Sequence, residues 1–438
     1  MIGRWLNRAR MMVQSKPAHE AQTPETVSAA PRPQPHVVPR ERPDPAFARQ
    51  ASVAGADGLL AQPSFARSPF TPTRPIQSEA ALVGRRRQVE RAISAIQLER
   101  ANLAIFGERG HGKTSLANVV SALAEAAGYG VVRYSCSAGA SFSDLIGSVL
   151  DRVPPRFLRR AAADPAEAKP VSGPLPAWTV AEVTAVLERI RAGHLLVFID
   201  EFDRLTDDHA KRDMTELLKN CSDLALRVSF VLVGVAESLD ELLALHRSIH
   251  RSLVAIPLPL LIDTDLIVLI TQGCARLGLR LDPAPQAALL LLSHQSPYYA
   301  QLLSLHATDA TLRRGDTTVT LADVAAAAQR VMDDTRAAFE PLLYRLPAGP
   351  AASALLYAAA RAPSDGFGWF AATEVTLSGC ADLEAALSAL TRPETGPILR
   401  VRGAPGRAAF AFAQPNLRNY VLLRQVACRN PCADARSC

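Results

Sequence analysis

Lysine is nearly missing from this chain of 438 residues, where five lysines stand beside 43 arginines. Aromatic residues are also sparse, at 5%. No apolar run reaches the length of a membrane-spanning helix, so no span is expected. The opening MIGRWLNRARMMVQ lacks the apolar core of a secretory leader. The nine histidines form no ligand cluster, and no serine–histidine–acid arrangement is visible. Zinc chemistry and triad hydrolysis are therefore not expected. Seven cysteines, an odd number, are scattered. Cys136, Cys221, Cys274 and Cys380 lie in or beside apolar stretches, where a thiol is a small hydrophobe. Only the tail CRNPCADARSC groups Cys428, Cys432 and Cys438, with irregular spacing and no histidine nearby. A reduced, cytoplasmic chain is expected.

The formal charge is +6 and the pI about 9.1. Because the bias toward arginine accompanies much alanine and proline, overall charge is weak evidence for a nucleic-acid partner. Where the charge sits matters more.

The length admits two or three domains. Residues 1–78 hold 12 of the 32 prolines and no lasting apolar periodicity, which predicts an extended, disordered arm. Beyond Ala80, short apolar runs alternate with helical patterns. The runs are Asn102–Phe106, Val131–Tyr134, Leu195–Asp200, Ser229–Gly234 and Leu253–Ile256. Such alternation predicts an α/β domain around a buried parallel sheet, residues 79–260. Between the second and third runs, VPPRFLRRAAADPAEAKPVSGPLP reads as a surface loop. Helical patterns then take over at Asp263–Leu277, Pro283–Ser293, Tyr299–Arg313 and Leu321–Ala337. Thr320 is the expected N-cap of the last, with Asp323 in its first turn. They predict an all-helical domain, 261–338. From 339 to 427, helices at Ala351–Arg361 and Asp382–Leu390 precede two β-like runs, Ile398–Arg402 and Ala408–Phe412, around GAPG. A helix follows from about Asn416 to Ala427. This order predicts a winged helix, with residues 428–438 a flexible tail.

The first apolar run leads into GERGHGKTS. Gly107-x-x-x-x-Gly112-Lys113-Thr114 is the phosphate-binding loop pattern. Its glycines let backbone N–H groups converge on phosphate oxygens, and the helix that follows turns its N-terminal dipole to the same anion. Lys113 supplies a point charge for the outer phosphates, and the Thr114 hydroxyl suits Mg²⁺. Gly107, Glu108, Arg109, Gly110, His111, Gly112, Lys113, Thr114 and Ser115 are thus candidate nucleotide-binding residues. In HLLVFIDEFDRL, four apolar residues end in Asp200 and Glu201. Asp200 is placed to hold Mg²⁺, and Glu201 to orient and deprotonate an attacking water. Asp203 and Arg204 read as surface or partner contacts.

Together these stretches resemble AAA+ P-loop ATPases, in particular the replication-initiator-like (origin-recognition type) and the transposition- or secretion-helper-like branches. The resemblance spans roughly residues 80–340. It implies a P-loop NTPase core with a helical lid and a C-terminal winged helix, and ATP with Mg²⁺ as ligands. ALVGRRRQVERAI is similar to the segment that places Val83, Gly84 and Arg85 near adenine. Gly107–Thr114 and Leu196–Glu201 are similar to Walker A and Walker B. HRSIHRSLVAIPLPLL is similar to the segment carrying a trans-acting arginine finger, which implies a catalytic role for Arg251 beside Lys113 and Glu201. Two features depart from the family pattern. At the end of the fourth run, VLVGVAES offers only Glu237 or Ser238 as a polar sensor. The lid stretch SHQSPYYAQLL has tyrosines where an arginine is expected. A slow switch that assembles on ATP binding fits better than a fast motor. Arg400, Arg402 and Arg407 flank the expected wing tip, where they could grip phosphates of double-stranded DNA. The alternative is a switch whose winged helix docks a protein partner.

Overall fold

The computed structural model describes residues 68–154, 156–157, 178–191, 193–243, 251–346, 350–392, 397–404 and 406–428. Most of the expected arm, most of the expected surface loop between the second and third runs, and the tail beyond Cys428 lie outside these residues; at the start of that loop Val153 and Phe157 are buried against the sheet rather than at the surface.

Five strands build the central sheet: β1 (Asn102–Gly107), β2 (Gly130–Ser135), β3 (Leu195–Asp200), β4 (Val228–Val235) and β5 (Leu253–Pro257). They run parallel in the order β2-β3-β4-β1-β5. Side chains of β1, β3 and β4 alternate between two buried clusters. Ala104, Phe106, Val197, Ile199 and Leu232 face one side; Leu103, Ile105, Phe198 and Val231 face the other. Burial on both faces is why these strands read as unbroken apolar runs rather than as alternating ones.

Helices cover both faces. On one side lie α1 (Arg86–Ser94), which continues through a π-helical turn at Ala95–Glu99, and α2 (Lys113–Ala126). On the other lie α3 (Phe142–Leu150), α4 (Val180–Leu187), α5 (Asp208–Asp223) and α6 (Leu239–Leu243). Reciprocal capping boxes start α3 at Ser141/Asp144 and α4 at Thr179/Glu182, each satisfying backbone donors that the helix cannot.

Beyond β5 come α7 (Asp263–Arg276), α8 (Pro283–Ser293), α9 (Pro297–Arg313) and α10 (Leu321–Leu343), with a two-residue parallel ladder of β6 (Arg280–Leu281) and β7 (Thr318–Val319). Thr320 caps α10 as expected, and Asp323 accepts the Thr320 N–H at 2.8 Å. That helix runs six residues past its expected end because Phe339 and Leu343 are buried. Phe339 lies 5.3 Å from the ring of Tyr420.

The C-terminal unit holds α11 (Pro350–Arg361), β8 (Phe370–Ala371), α12 (Leu383–Ala389), the antiparallel pair β9 (Leu399–Arg402) and β10 (Ala409–Phe412), and α13 (Pro415–Cys428). The expected hairpin is present, and β8, unforeseen in the sequence, pairs with β10 to make a three-stranded sheet. The division drawn at residue 338 does not separate two cores. Leu266, Leu303 and Val331 share one continuous apolar cluster with Phe370, Phe410 and Leu423. Lid and C-terminal unit are therefore one packed body. No helix among the described residues is long and apolar enough to cross a membrane.

Residues 68–78, assigned above to the disordered arm, form an ordered strap. Phe70 is 3% exposed and sits in the lid core against Gly273, which leaves no room for a side chain at that position. The Thr71 N–H donates to Gln301 Oε1 at 2.8 Å, and the Ile76 N–H to Ser115 Oγ at 3.0 Å. One buried ring and two hydrogen bonds thus order a stretch with no periodicity of its own. Phe70→Ala should release it: amide hydrogen exchange over 68–76 should lose the protection it has in the parent chain.

Candidate functional site

At the C-terminal ends of β1, β3 and β4 lies a cleft of about 280 Å³. Its floor is the loop between β1 and α2. The strand must turn into a helix there within a few residues, and two glycines permit it. A Cβ on Gly107 would stand 2.5 Å from the Leu258 carbonyl oxygen, and Gly112 starts α2 at φ 89°. The loop residues Arg109, Gly110, His111, Gly112, Lys113, Thr114 and Ser115 all line the cleft. Gly107 and Glu108 lie behind it. The Glu108 carbonyl accepts from Lys113 Nζ at 2.9 Å. Ser115 Oγ is engaged by the strap, as described above.

His111 braces the loop. Burial holds its imidazole at about 4, so the ring is neutral at pH 7, and Nδ1–H donates to the Leu258 carbonyl at 2.8 Å. Arg85 does similar work from the other side. It is 3% exposed, and burial lowers its guanidinium to about 10 while Asp265 opposes the shift. Its Nη2 donates to the carbonyls of His111, at 3.1 Å, and Pro259, at 2.5 Å. Val83 and Arg85 line the cleft, whereas Gly84 is not among the lining residues.

The opposite wall is acidic. Asp200 ends β3, and its Oδ1 accepts the Glu201 N–H at 2.8 Å. Glu201 has φ 55°, a left-handed conformation that costs a non-glycine residue roughly 1–2 kcal/mol. Ser135 Oγ, at 3.0 Å, and Arg204 Nη2, at 3.1 Å, hold its carboxylate. A 3₁₀ turn at Phe202–Arg204 brings Asp203 back to the cleft, where Oδ1 accepts the Val235 N–H at 2.8 Å. Asp203 and Arg204, read above as surface contacts, both line the cleft. The signal was present: Asp203 stands three residues after Asp200, one turn on. Thr114, Asp200, Glu201 and Asp203 line this side of the cleft with hydroxyl and carboxylate oxygens. Among the described residues, no three histidine, cysteine or carboxylate side chains are grouped closely enough to hold a metal ion by themselves.

Two walls have no counterpart in the motifs. The strap contributes Thr71–Ile76, and the lid contributes Leu269, Pro297, Tyr298 and Gln301, with Tyr298 lying over Gly110. No lid arginine lines the cleft among the described residues. Glu237 and Ser238 do not line it either. Ser238 Oγ accepts from the Glu241 N–H, and Glu237 faces the C-terminal unit. Arg251 is exposed and sits two residues before β5, at the sheet end remote from the loop. The five residues of β5 set it about 17 Å from the cleft end of the strand. Arg247 lies outside the described residues.

Of the three arginines expected on a free wing, two are engaged. Arg400 turns inward to Glu108, at 3.0 Å, and Glu237, at 2.6 Å. Arg402 pairs with Asp365 at 3.0 Å and stacks 4.3 Å from the centre of the Trp369 ring. The carboxylates that draw them in are supplied by other parts of the chain. Arg407, beyond the turn, is exposed.

Residues 97–243 match the AAA domain family. No curated protein sequence matches the chain. Among solved structures, the Walker-type ATPase of Pyrococcus abyssi is 16% identical and shares the fold with a TM-score of 0.50, over 81% of this chain and 99% of that one. The Aeropyrum pernix ORC1 protein, solved in complex with DNA, is 18% identical over 83% and 97% of the two chains, with a TM-score of 0.44. Cdc6p of Pyrobaculum aerophilum is 12% identical over 82% and 97%, also at 0.44.

Burial pulls the Lys113 ammonium down to about 8, against the opposing pull of Asp203, Glu108 and Asp200. An anion at the loop favours the charged amine and raises that value. Above pH 8, binding of a triphosphate must therefore take up one proton, and its Kd should rise by up to about tenfold per pH unit. Calorimetric titrations at pH 9 in two buffers of different ionisation heat should differ by the heat of one proton, and those at pH 7 should not.

Proposed function

Because the chain carries an AAA+-type P-loop domain, we propose that it is an ATP-binding and ATP-hydrolysing switch that assembles on ATP binding and associates with DNA. The supporting observation is the convergence of Lys113, Thr114, Asp200 and Glu201 on one cleft, floored by a loop whose glycines admit a backbone-lined phosphate site. Backbone amides of 109–114 and the N-terminus of α2 receive the phosphates, and Lys113 exchanges its Glu108 carbonyl for phosphate oxygen. Thr114 and Asp200 would hold Mg²⁺, which when bound neutralises phosphate charge. Glu201, fixed by Ser135 and Arg204, takes the proton of the attacking water. Val83, Ile76, Leu82 and Leu269 offer the apolar end of the cleft for the base. Arg251 cannot serve its own cleft from the far end of β5, so its role as a finger requires a neighbouring subunit.

A second reading, in which the C-terminal unit docks a protein, gains support from the wing. Arg400 turns inward and Arg402, though exposed, is paired with Asp365, so of the three arginines Arg407 alone has neither an inward turn nor such an acidic partner here. Duplex DNA separates the two readings. Stimulation of ATP turnover by DNA favours the first, and indifference the second.

Glu201→Gln should leave ATP bound while slowing hydrolysis by about 10²–10⁴-fold, read by single-turnover phosphate release. Unchanged turnover would remove Glu201 from its role. If Arg251 acts in trans, turnover per subunit should climb with protein concentration, and Arg251→Ala should flatten that climb, with a loss at saturation of up to about 10³–10⁵-fold. A turnover independent of concentration in the parent chain would rule the finger out.

A further inference from the structure

Behind the phosphate loop, on the side away from the cleft, three charged groups from three parts of the chain meet. Glu108 is the loop residue after Gly107 and is 8% exposed. Glu237 follows the end of β4. Arg400 reaches both from β9, with one Nη to each carboxylate. Trp369 closes the group: its Nε1–H donates to Glu237 Oε2 at 3.0 Å, and its ring lies 5.2 Å from the Arg400 guanidinium. The neighbouring turn adds a backbone link, from the Leu260 N–H to the Gly366 carbonyl at 2.7 Å. Gly366 has no room for a Cβ, which would meet Pro259 at 2.5 Å. A small cavity of about 50 Å³, lined by Glu108, His111, His294, Arg400 and Arg418 among others, lies between loop and C-terminal unit.

One guanidinium here balances two carboxylates that are largely withdrawn from water. Without it, the loop would carry a buried, unbalanced negative charge behind the phosphate site. Glu108 also connects this cluster to the cleft. Its side chain pairs with Arg400, and its carbonyl accepts from Lys113, which a phosphate would draw away. A ligand-dependent event at Lys113 therefore lies one residue from Arg400.

We propose that Arg400 is a positioning residue for the phosphate loop, holding Glu108 and Glu237 from the C-terminal unit so that nucleotide binding and docking of that unit are coupled. Lid and C-terminal unit form one body with one core, so whatever loosens Arg400 loosens the lid that carries Tyr298 over the loop. Coupling of this kind is reciprocal: a docked unit tightens nucleotide binding by the factor with which nucleotide tightens docking. The proposal rests on the reading of the cleft as a nucleotide site.

The test uses the full chain with Arg400→Ala, Arg400→Lys, Glu108→Gln and the double variant of Arg400→Ala with Glu108→Gln. Affinity for a fluorescent ATP analogue is measured beside amide exchange over 363–371 and 397–404, with and without ATP. In the parent chain, ATP should slow exchange in both segments. Arg400→Ala should weaken binding about 5- to 150-fold and abolish that response. Arg400→Lys, which keeps the charge but loses the fork, should fall between. The double variant should be no worse than the poorer single one, since both remove the same link. A lowered melting temperature with affinity and exchange response intact would reduce Arg400 to a structural contact and overturn the proposal. Should Arg400→Ala not fold, Glu108→Gln reads the same link from the loop side, and unchanged affinity and response there would overturn it equally. A parent chain that binds no nucleotide would instead defeat the reading of the cleft, and this proposal with it.

Discussion

Everything at the site depends on how closely the end of β1 approaches the segment leaving β5. The Leu258 N–H donates to the Phe106 carbonyl at 2.7 Å, and the Leu258 carbonyl oxygen then fills the space where a Cβ of residue 107 would stand. Because residue 107 is glycine, the chain can leave the strand there, turn, and enter α2 at Gly112. Two buried side chains keep the turn in that shape. His111 ties it to Leu258, and Arg85 ties it to Pro259. Both contacts go to backbone carbonyls of one segment, so loop and β5 exit form a single rigid edge.

On this edge the charges are arranged in opposition. Lys113 and Arg109 stand on the loop, and Asp200, Glu201 and Asp203 on the facing wall. The lysine is desolvated and donates to a neighbouring carbonyl, a bond that phosphate oxygens can replace. Glu201 is held in a left-handed conformation by two side-chain partners. Strain of this sort persists only where surrounding contacts over-determine it, and such places are commonly functional.

The lid and C-terminal unit bring a second constraint. One apolar core runs through both, and that body meets the nucleotide domain through Tyr298 over the loop, Gly366 against Pro259, and Arg400 between two carboxylates. Motion of the lid without the C-terminal unit would break a continuous core. Of these contacts, that of Arg400 is polar and can be exchanged more readily. Hinge-like movement is therefore expected where charges and hydrogen bonds form the joint.

Much of this was legible in the residue order. β3 begins and ends where its apolar run predicts, α8 has its expected limits, and Thr320 caps α10 through Asp323. The loop and the acidic pair come together in space as their spacing implied. All of these are local matters: a strand buried on both faces, a cap, a glycine turn, each written in a few consecutive residues. The ordered strap, the full length of α10, the shared core and the partners of Arg400 were settled only by tertiary contact. Phe70 is ordered by a cavity beside Gly273, and Arg400 finds Glu108 across 292 positions. No periodicity or motif records such meetings, because a charge or a ring is placed by whatever the folded chain sets opposite it.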